Sequence, residues 1–143
     1  MATKYKELEN KYKRALADYQ NLIKQNDKEK EEFAKYANQA LIHDIIPVYD
    51  HLKMSLAHSD NNSWVQGVKH VLKQFKQVLA SNNVKEVQTV EEHFDPNTME
   101  AVEKIATNEK NKDNIVAKEL KSGYTMHERT IIPAQVAVYE YNK

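Results

Sequence analysis

From Tyr5 the apolar positions step through Leu8, Tyr12, Ala15, Tyr19 and Leu22, cross the polar Asn26 and Glu29, and resume at Phe33, Tyr36 and Ala40. Steps that alternate three and four keep one seam on one side of a helix and suit supercoiling with a partner. A second stripe runs through Phe33, Ala37, Leu41, Ile45, Val48, Leu52 and Leu56. Steps of four dominate there, so the mean period exceeds 3.5 and the supercoil should relax. Residues 3 to about 57 contain no glycine, and the pattern predicts one long helix across them. Such a rod would be roughly 80 Å long at ~1.5 Å per residue. A lone helix cannot bury its own stripe in water and needs a second copy or another chain, so the pattern predicts a dimer. Pro47 removes one backbone hydrogen bond, and with apolar spacing continuing on both sides it predicts a bend in one helix.

Ser59 to Ser63 (S-D-N-N-S) predicts a loop, with Asn62 or Ser63 placed to cap a second helix. That helix is predicted over Trp64 to Ser81. Its stripe of Trp64, Val68, Val71, Phe75 and Val78, widened by Val65, Leu72 and Leu79, is broad enough for a four-helix core built from two helical hairpins. Asn82-Asn83 supplies a left-handed stop. Beyond Val84 the chain changes to short segments rich in valine, isoleucine and tyrosine: 84–87, 115–120, 124–126, 130–132 and 134–141. Asp-Pro, Asn-rich and Ser-Gly turns separate them. The last is expected to alternate, with Val136 and Val138 opposite Gln135, Ala137 and Tyr139. The expected organisation is α+β. Residues 1–40 form a coiled-coil-like helix, 41–83 the hairpin of a dimeric four-helix bundle, and 84–143 a small β-rich wing.

Composition narrows the function. Of 143 residues, 21 are Lys or Arg and 21 Asp or Glu, so no net field draws the chain to nucleic acid or an anionic membrane. The charged share of 29% and a mean hydropathy of −0.80 suit a high-surface, elongated molecule. There is no cysteine, hence no disulfide, thiolate zinc site or thiol nucleophile, which fits a reducing compartment. No run approaches the ~20 apolar residues of a membrane span, and the polar N-terminus shows no secretory pattern, so a soluble, intracellular protein is expected.

Candidate chemistry is sparse. His51 and His58 are seven apart, too far for the i, i+4 metal pair, so the histidines read as polar surface or packing. With two glycines in the chain there is no phosphate-cradling loop, and Ser122-Gly123 lacks a nucleophile-elbow context. No catalytic residue, metal or cofactor is expected. Tyr5, Tyr12 and Tyr19 form a stripe that stacks in a dimer seam more readily than on bases. Gly67 sits early in a strong helix, where it costs on the order of 1 kcal/mol relative to alanine. It is either a tolerated surface glycine or a point of close backbone approach. Arg129 beside a turn is either a solvated charge or an exposed anchor for a partner.

Five segments carry a family likeness: DYQNL (18–22), IIPVYDHL (45–52), GVKHVLKQF (67–75), FDPNTMEAV (94–102) and GYTMHERTIIPAQVAV (123–138). In these, and in their order, the chain resembles the GrpE family, nucleotide exchange factors of DnaK-type heat-shock chaperones. The resemblance implies a parallel homodimer with paired long helices, a central four-helix bundle and two β-wings. It implies that one wing wedges against the chaperone's ATPase domain and favours an open nucleotide cleft. Such a factor must bind the open state more tightly, and by linkage nucleotide weakens its binding by the same ratio. It implies no direct nucleotide binding. The matching chaperone-binding positions are Gly67 at the bundle, Phe94, Pro96, Leu120 and Arg129 at the wing, with Arg129 as the charged anchor. The expected dimer-interface set is Tyr5, Leu8, Tyr12, Tyr19, Leu22, Phe33, Leu41, Ile45, Val68, Val71 and Phe75. The sequence departs from the family pattern at Ile23, Met54, Met99, Glu128 and Ile132: the basic cluster after DYQNL is missing, the turn glycine before the arginine is Glu128, and a histidine and an arginine are replaced by Met99 and Ile132. The rival class is a coiled-coil scaffold without exchange activity. The seam break at Asn26 and Glu29 predicts an early, reversible melt of the long helix.

Overall fold

The computed structural model describes Met1 to Asn142. Helix α1 spans Ala2–Tyr36 and α2 spans Gln39–Ala57, with turn residues Ala37 and Asn38 between them. The helical run therefore reaches Ala57 as the periodicity requires, but it is two helices broken at Asn38 (φ −95°, ψ 2°), while Pro47 stays inside α2. Asparagine competes for backbone hydrogen bonds and is a weak helix former. Helical bonding restarts at once, since Ile42 N–H donates to Asn38 O at 2.9 Å. The chain divides into two compact units here, Met1–Ala37 and the remainder from Asn38. No residue of α1 is buried, and its stripe of Tyr5, Leu8, Tyr12, Tyr19, Leu22 and Phe33 lies open.

In the second unit α3 spans Ser63–Ser81. The Asn62 side chain accepts from Val65 N–H and caps its start. At its end Asn83 takes φ 58°, the left-handed stop expected of the Asn-Asn pair. Helices α2 and α3 pack through Ile42, Ile46, Tyr49, Val65 and Leu79, all buried, with Tyr49 stacked on Phe75 at 5.0 Å between ring centroids. Their other apolar positions, among them Leu41, Val48, Trp64, Val71 and Val78, remain exposed.

Among the described residues six strands make two three-stranded sheets. β1 (Val84–Glu86), β4 (Tyr124–Met126) and β5 (Arg129–Ile132) pair in the order β1-β4-β5, all antiparallel. β2 (Met99–Thr107), β3 (Val116–Lys121) and β6 (Ala134–Tyr141) pair in the order β2-β6-β3. β2 runs parallel to β6 and β3 antiparallel to it.

The strands differ from expectation in two places. The nine-residue β2 lies outside the segments that the pattern predicts. Only its Met99 is buried, while residues 100–104 are exposed on an edge strand interrupted by a bulge at Val102, so no alternation marks it. Nor does β6 alternate. Ala134, Val136, Ala137 and Val138 are all buried, because the central strand is covered on both faces. Met99, Val116, Ala134, Val136 and Val138 form the sheet core, with Val87 and Phe94 packed against it.

The sheets are stitched by close backbone approach. A Cβ on Gly123 would lie 2.3 Å from Ala134 N, so only glycine fits between β3 and β4.

Candidate functional site

The turn between β4 and β5 places His127 and Glu128 at φ 46° and 68°. Consecutive left-handed residues form the tight hairpin turn whose twist matches the strands. They leave Arg129 exposed at the first position of β5. The next residue, Thr130, donates its hydroxyl to Asn97 O at 2.8 Å. Asn97 belongs to the Asp-Pro turn, where Asp95 Oδ1 accepts from Asn97 N–H at 2.9 Å and Asp95 O accepts from Met99 N–H at 2.8 Å. The hairpin tip and the Asp-Pro turn are thus neighbours through Thr130 and Asn97, and Pro96 of that turn is exposed.

The other expected contact residues separate. Phe94 is half-buried and packs against the sheet core. Leu120, 47% exposed, lines a cleft of about 490 Å³ with Met54 and Pro47 of α2. Gly67 lies exposed on α3, and a Cβ there would meet nothing within 4 Å of the chain's own atoms. Two departures from the family pattern, Met99 and Ile132, fall on buried positions, so apolar side chains there enlarge the core.

Between α2 and α3 runs an apolar groove of about 460 Å³, lined by Leu41, Ile45, Val71, Phe75 and Val78 among others. Four of the expected dimer-interface residues, Leu41, Ile45, Val71 and Phe75, meet there.

A polar cluster that the sequence pattern does not reveal joins α2 to the first sheet. Lys53 Nζ donates to Glu86 Oε1 at 3.2 Å and to Tyr124 OH at 3.1 Å, and lies 3.3 Å from Asp50 Oδ1. Three oxygens thereby use the ammonium's three donors. Tyr124 OH donates to Asp50 Oδ1 at 2.5 Å. The ammonium also sits 4.8 Å from the Tyr49 ring centroid. Asp50 Oδ2 is buried without a hydrogen bond among the described residues. Burial alone would lower the Lys53 pKa, but Glu86 and Asp50 outweigh it and raise it. Burial, then the bond to Asp50, pushes the Tyr124 hydroxyl far above its ordinary range. The Asp50/Lys53 pairing at i, i+3 is visible in the sequence; Glu86 and Tyr124 join it only through the fold.

Among the described residues no group of three histidine, aspartate or glutamate side chains is placed to hold a metal, and no helix is long and apolar enough to cross a membrane.

Residues 1–140 match the profile of the family described as GrpE. The chain is 35% identical to the Protein GrpE of Fructilactobacillus sanfranciscensis, over 91% of this chain and 74% of that protein. It is 36% identical to the Protein GrpE of Protochlamydia amoebophila, over 96% and 65% of the two chains. A third relative, the Protein GrpE of Syntrophobacter fumaroxidans, is 37% identical over 96% of this chain and 76% of its own length.

Proposed function

The chain belongs to the GrpE family, the nucleotide exchange factors of DnaK-type chaperones, and from that premise we propose how its parts divide the work. It acts as a homodimer that docks one wing on the chaperone's ATPase domain and stabilises the open cleft from which ADP leaves. The single observation that carries this assignment of parts is the wing tip. Two left-handed residues, His127 and Glu128, precede an exposed Arg129, and the next residue, Thr130, is bonded to Asn97 of the turn that holds exposed Pro96. A planar guanidinium on a hairpin tip suits bidentate capture of a carboxylate on a partner.

Support for pairing is the unfilled apolar surface. The α1 stripe and the α2–α3 groove hold Tyr5, Leu8, Tyr12, Leu41, Ile45 and Val71 in the open, and a second copy would remove them from water. Binding alone does this work, with no bond made or broken by the factor. Nucleotide release follows from the difference in affinity between open and closed clefts. The site of action is the bacterial cytoplasm.

The test is release of a fluorescent ADP from the cognate DnaK-type chaperone, with the unmutated chain and with Arg129→Ala. Faster release that Arg129→Ala blunts by tenfold or more supports the reading, on the order of 1.4 kcal/mol or more of binding. Acceleration indifferent to Arg129→Ala removes the anchor from the tip. No acceleration by a folded, paired protein overturns the function.

A further inference from the structure

Chain connectivity and a contact band, α3 against β1 and α2 against β5, attach the wing to the helices. The covalent link is Asn82–Asn83, where Asn83 turns the chain at φ 58° and accepts from His127 N–H at 3.1 Å. The contact band lies between two clefts. One, of about 490 Å³, is lined by Asp50, Lys53 and Leu120, and the other, of about 220 Å³, by Tyr49, Glu86 and Tyr124. The Lys53 cluster is the ridge between them. It gathers α2, β1 and β4 onto a single ammonium, and Tyr124 and Tyr49 are 2% and 4% exposed.

Such a ridge resists rotation in a way an apolar contact does not. Apolar surfaces slide at nearly constant burial, whereas charge-assisted hydrogen bonds fall off steeply with distance and angle. Asp50 Oδ1 accepts from Tyr124 at 2.5 Å and Lys53 has every donor engaged, so a tilt of the wing breaks several bonds together.

We propose that Asp50, Lys53, Glu86 and Tyr124 are positioning residues forming a stiff joint, which makes the wing a lever that forces the partner's cleft to open instead of yielding to the closed cleft. The inference rests on the exchange-factor reading. Its logic is linkage: the factor opens the cleft only by binding the ADP-bound, closed state worse than the empty, open one. A stiff wing fits one cleft geometry. A wing on a slack joint swings to follow the closed cleft, so its affinity for the ADP-bound state rises relative to the open state, and the ratio of the two affinities shrinks.

That ratio separates the joint from mere stability. A variant that is partly unfolded loses affinity for both states by the same factor and keeps the ratio.

The experiment measures the dissociation constant of the full chain for the DnaK-type ATPase domain, nucleotide-free and saturated with ADP, for the unmutated protein, Tyr124→Phe and Glu86→Gln. Tyr124→Phe deletes the hydroxyl shared by Asp50 and Lys53. Glu86→Gln removes one charge at a half-exposed position and is the variant that decides if Tyr124→Phe does not fold. The expected result is a ratio at least about threefold smaller in both, with the saturating rate of ADP release falling in step, as coupling of 5–150-fold allows. A ratio equal to that of the unmutated chain in every variant that folds overturns the joint. An unmutated chain whose affinity ignores ADP overturns the exchange-factor reading itself, and the joint with it.

Discussion

Tyr124 on β4 donates its hydroxyl to Asp50 on α2 at 2.5 Å, across 74 residues of chain. The bond is flanked by Lys53, which binds both partners, and it ties the first sheet to the helices. Tyr124→Phe leaves Asp50 with neither carboxylate oxygen bonded to a hydroxyl, in a place where Oδ2 is already unsatisfied. A loss of about 1–3 kcal/mol is expected, read as a lower urea midpoint with an unchanged slope.

The same cluster sets an alkaline limit. Both Lys53 and Tyr124 hold their protons in the folded state above the ordinary values of 10.5 and 10.0. A raised folded pKa gives stability that is complete below the unfolded value and drains away as pH rises past it. Stability should therefore be level with respect to these two groups from pH 7 to 9 and fall above pH 10, by up to roughly 1.4 kcal/mol per pH unit for each retained proton. Urea midpoints across that range check it, and Tyr124→Phe should make the decline shallower. A decline as steep in Tyr124→Phe would assign it to other groups.

Gly123→Ala puts a methyl group 2.3 Å from Ala134 N, against backbone that cannot step aside without disturbing β6. Overpacking of this kind costs typically 1–3 kcal/mol, occasionally more. The expected outcome is loss of wing stability with the helical signal of α1 retained, seen as near-ultraviolet dichroism lost before far-ultraviolet. An alanine variant as stable as the original would refute the steric argument.

Glu128 holds φ 68° with a Cβ, where the family pattern has glycine. Left-handed geometry costs an L-residue about 1–2 kcal/mol, partly offset by the extra entropy glycine loses on folding. Glu128→Gly should thus raise the wing's stability by up to ~1 kcal/mol. Thermal unfolding followed at the tyrosines reads it directly. A fall in stability would mean that the Glu128 side chain contributes more than its backbone costs.

The polar pair Asn26 and Glu29 interrupts the α1 stripe, and Glu29 is occupied locally by Gln25 Nε2 at 3.1 Å. Replacing both with leucine completes the seam. The first thermal transition should move up by several degrees and become dependent on protein concentration, as pairing requires. A transition that stays put would show that this seam is not where copies meet.

The helices are legible in the sequence because their signals are local. A three-four repeat, the Asn62 cap and the Asn83 stop lie within a turn or two of the residues they govern. β2 is not legible, since its side chains at 100–104 face water and its partner β6 lies more than thirty residues on. Motif resemblance names Arg129 and Pro96, which the fold brings to adjoining turns. It also names Phe94, whose half-buried place in the core follows from packing that no motif states. The Lys53 cluster escapes because Asp50 and Lys53 look like an ordinary exposed helix pair until Glu86 and Tyr124 arrive from strands.

The parallel pairing of β2 with β6 has a consequence for the order of events during synthesis. Antiparallel neighbours can zip from a short turn, but Met99 meets Ala134 and Thr107 meets Tyr141 only after the whole intervening segment has been made. β6 also sits between β2 and β3, so neither flanking strand has its sheet partner until the last one emerges. Loop closure must precede the reward, which places the second sheet among the slow, non-local steps of folding. The helices, built from contacts a few residues apart, form early and wait for it. A ribosome stalled before Ala134 would hold finished helices and a wing with unpaired strand edges, the state in which this chain most needs a chaperone of its own.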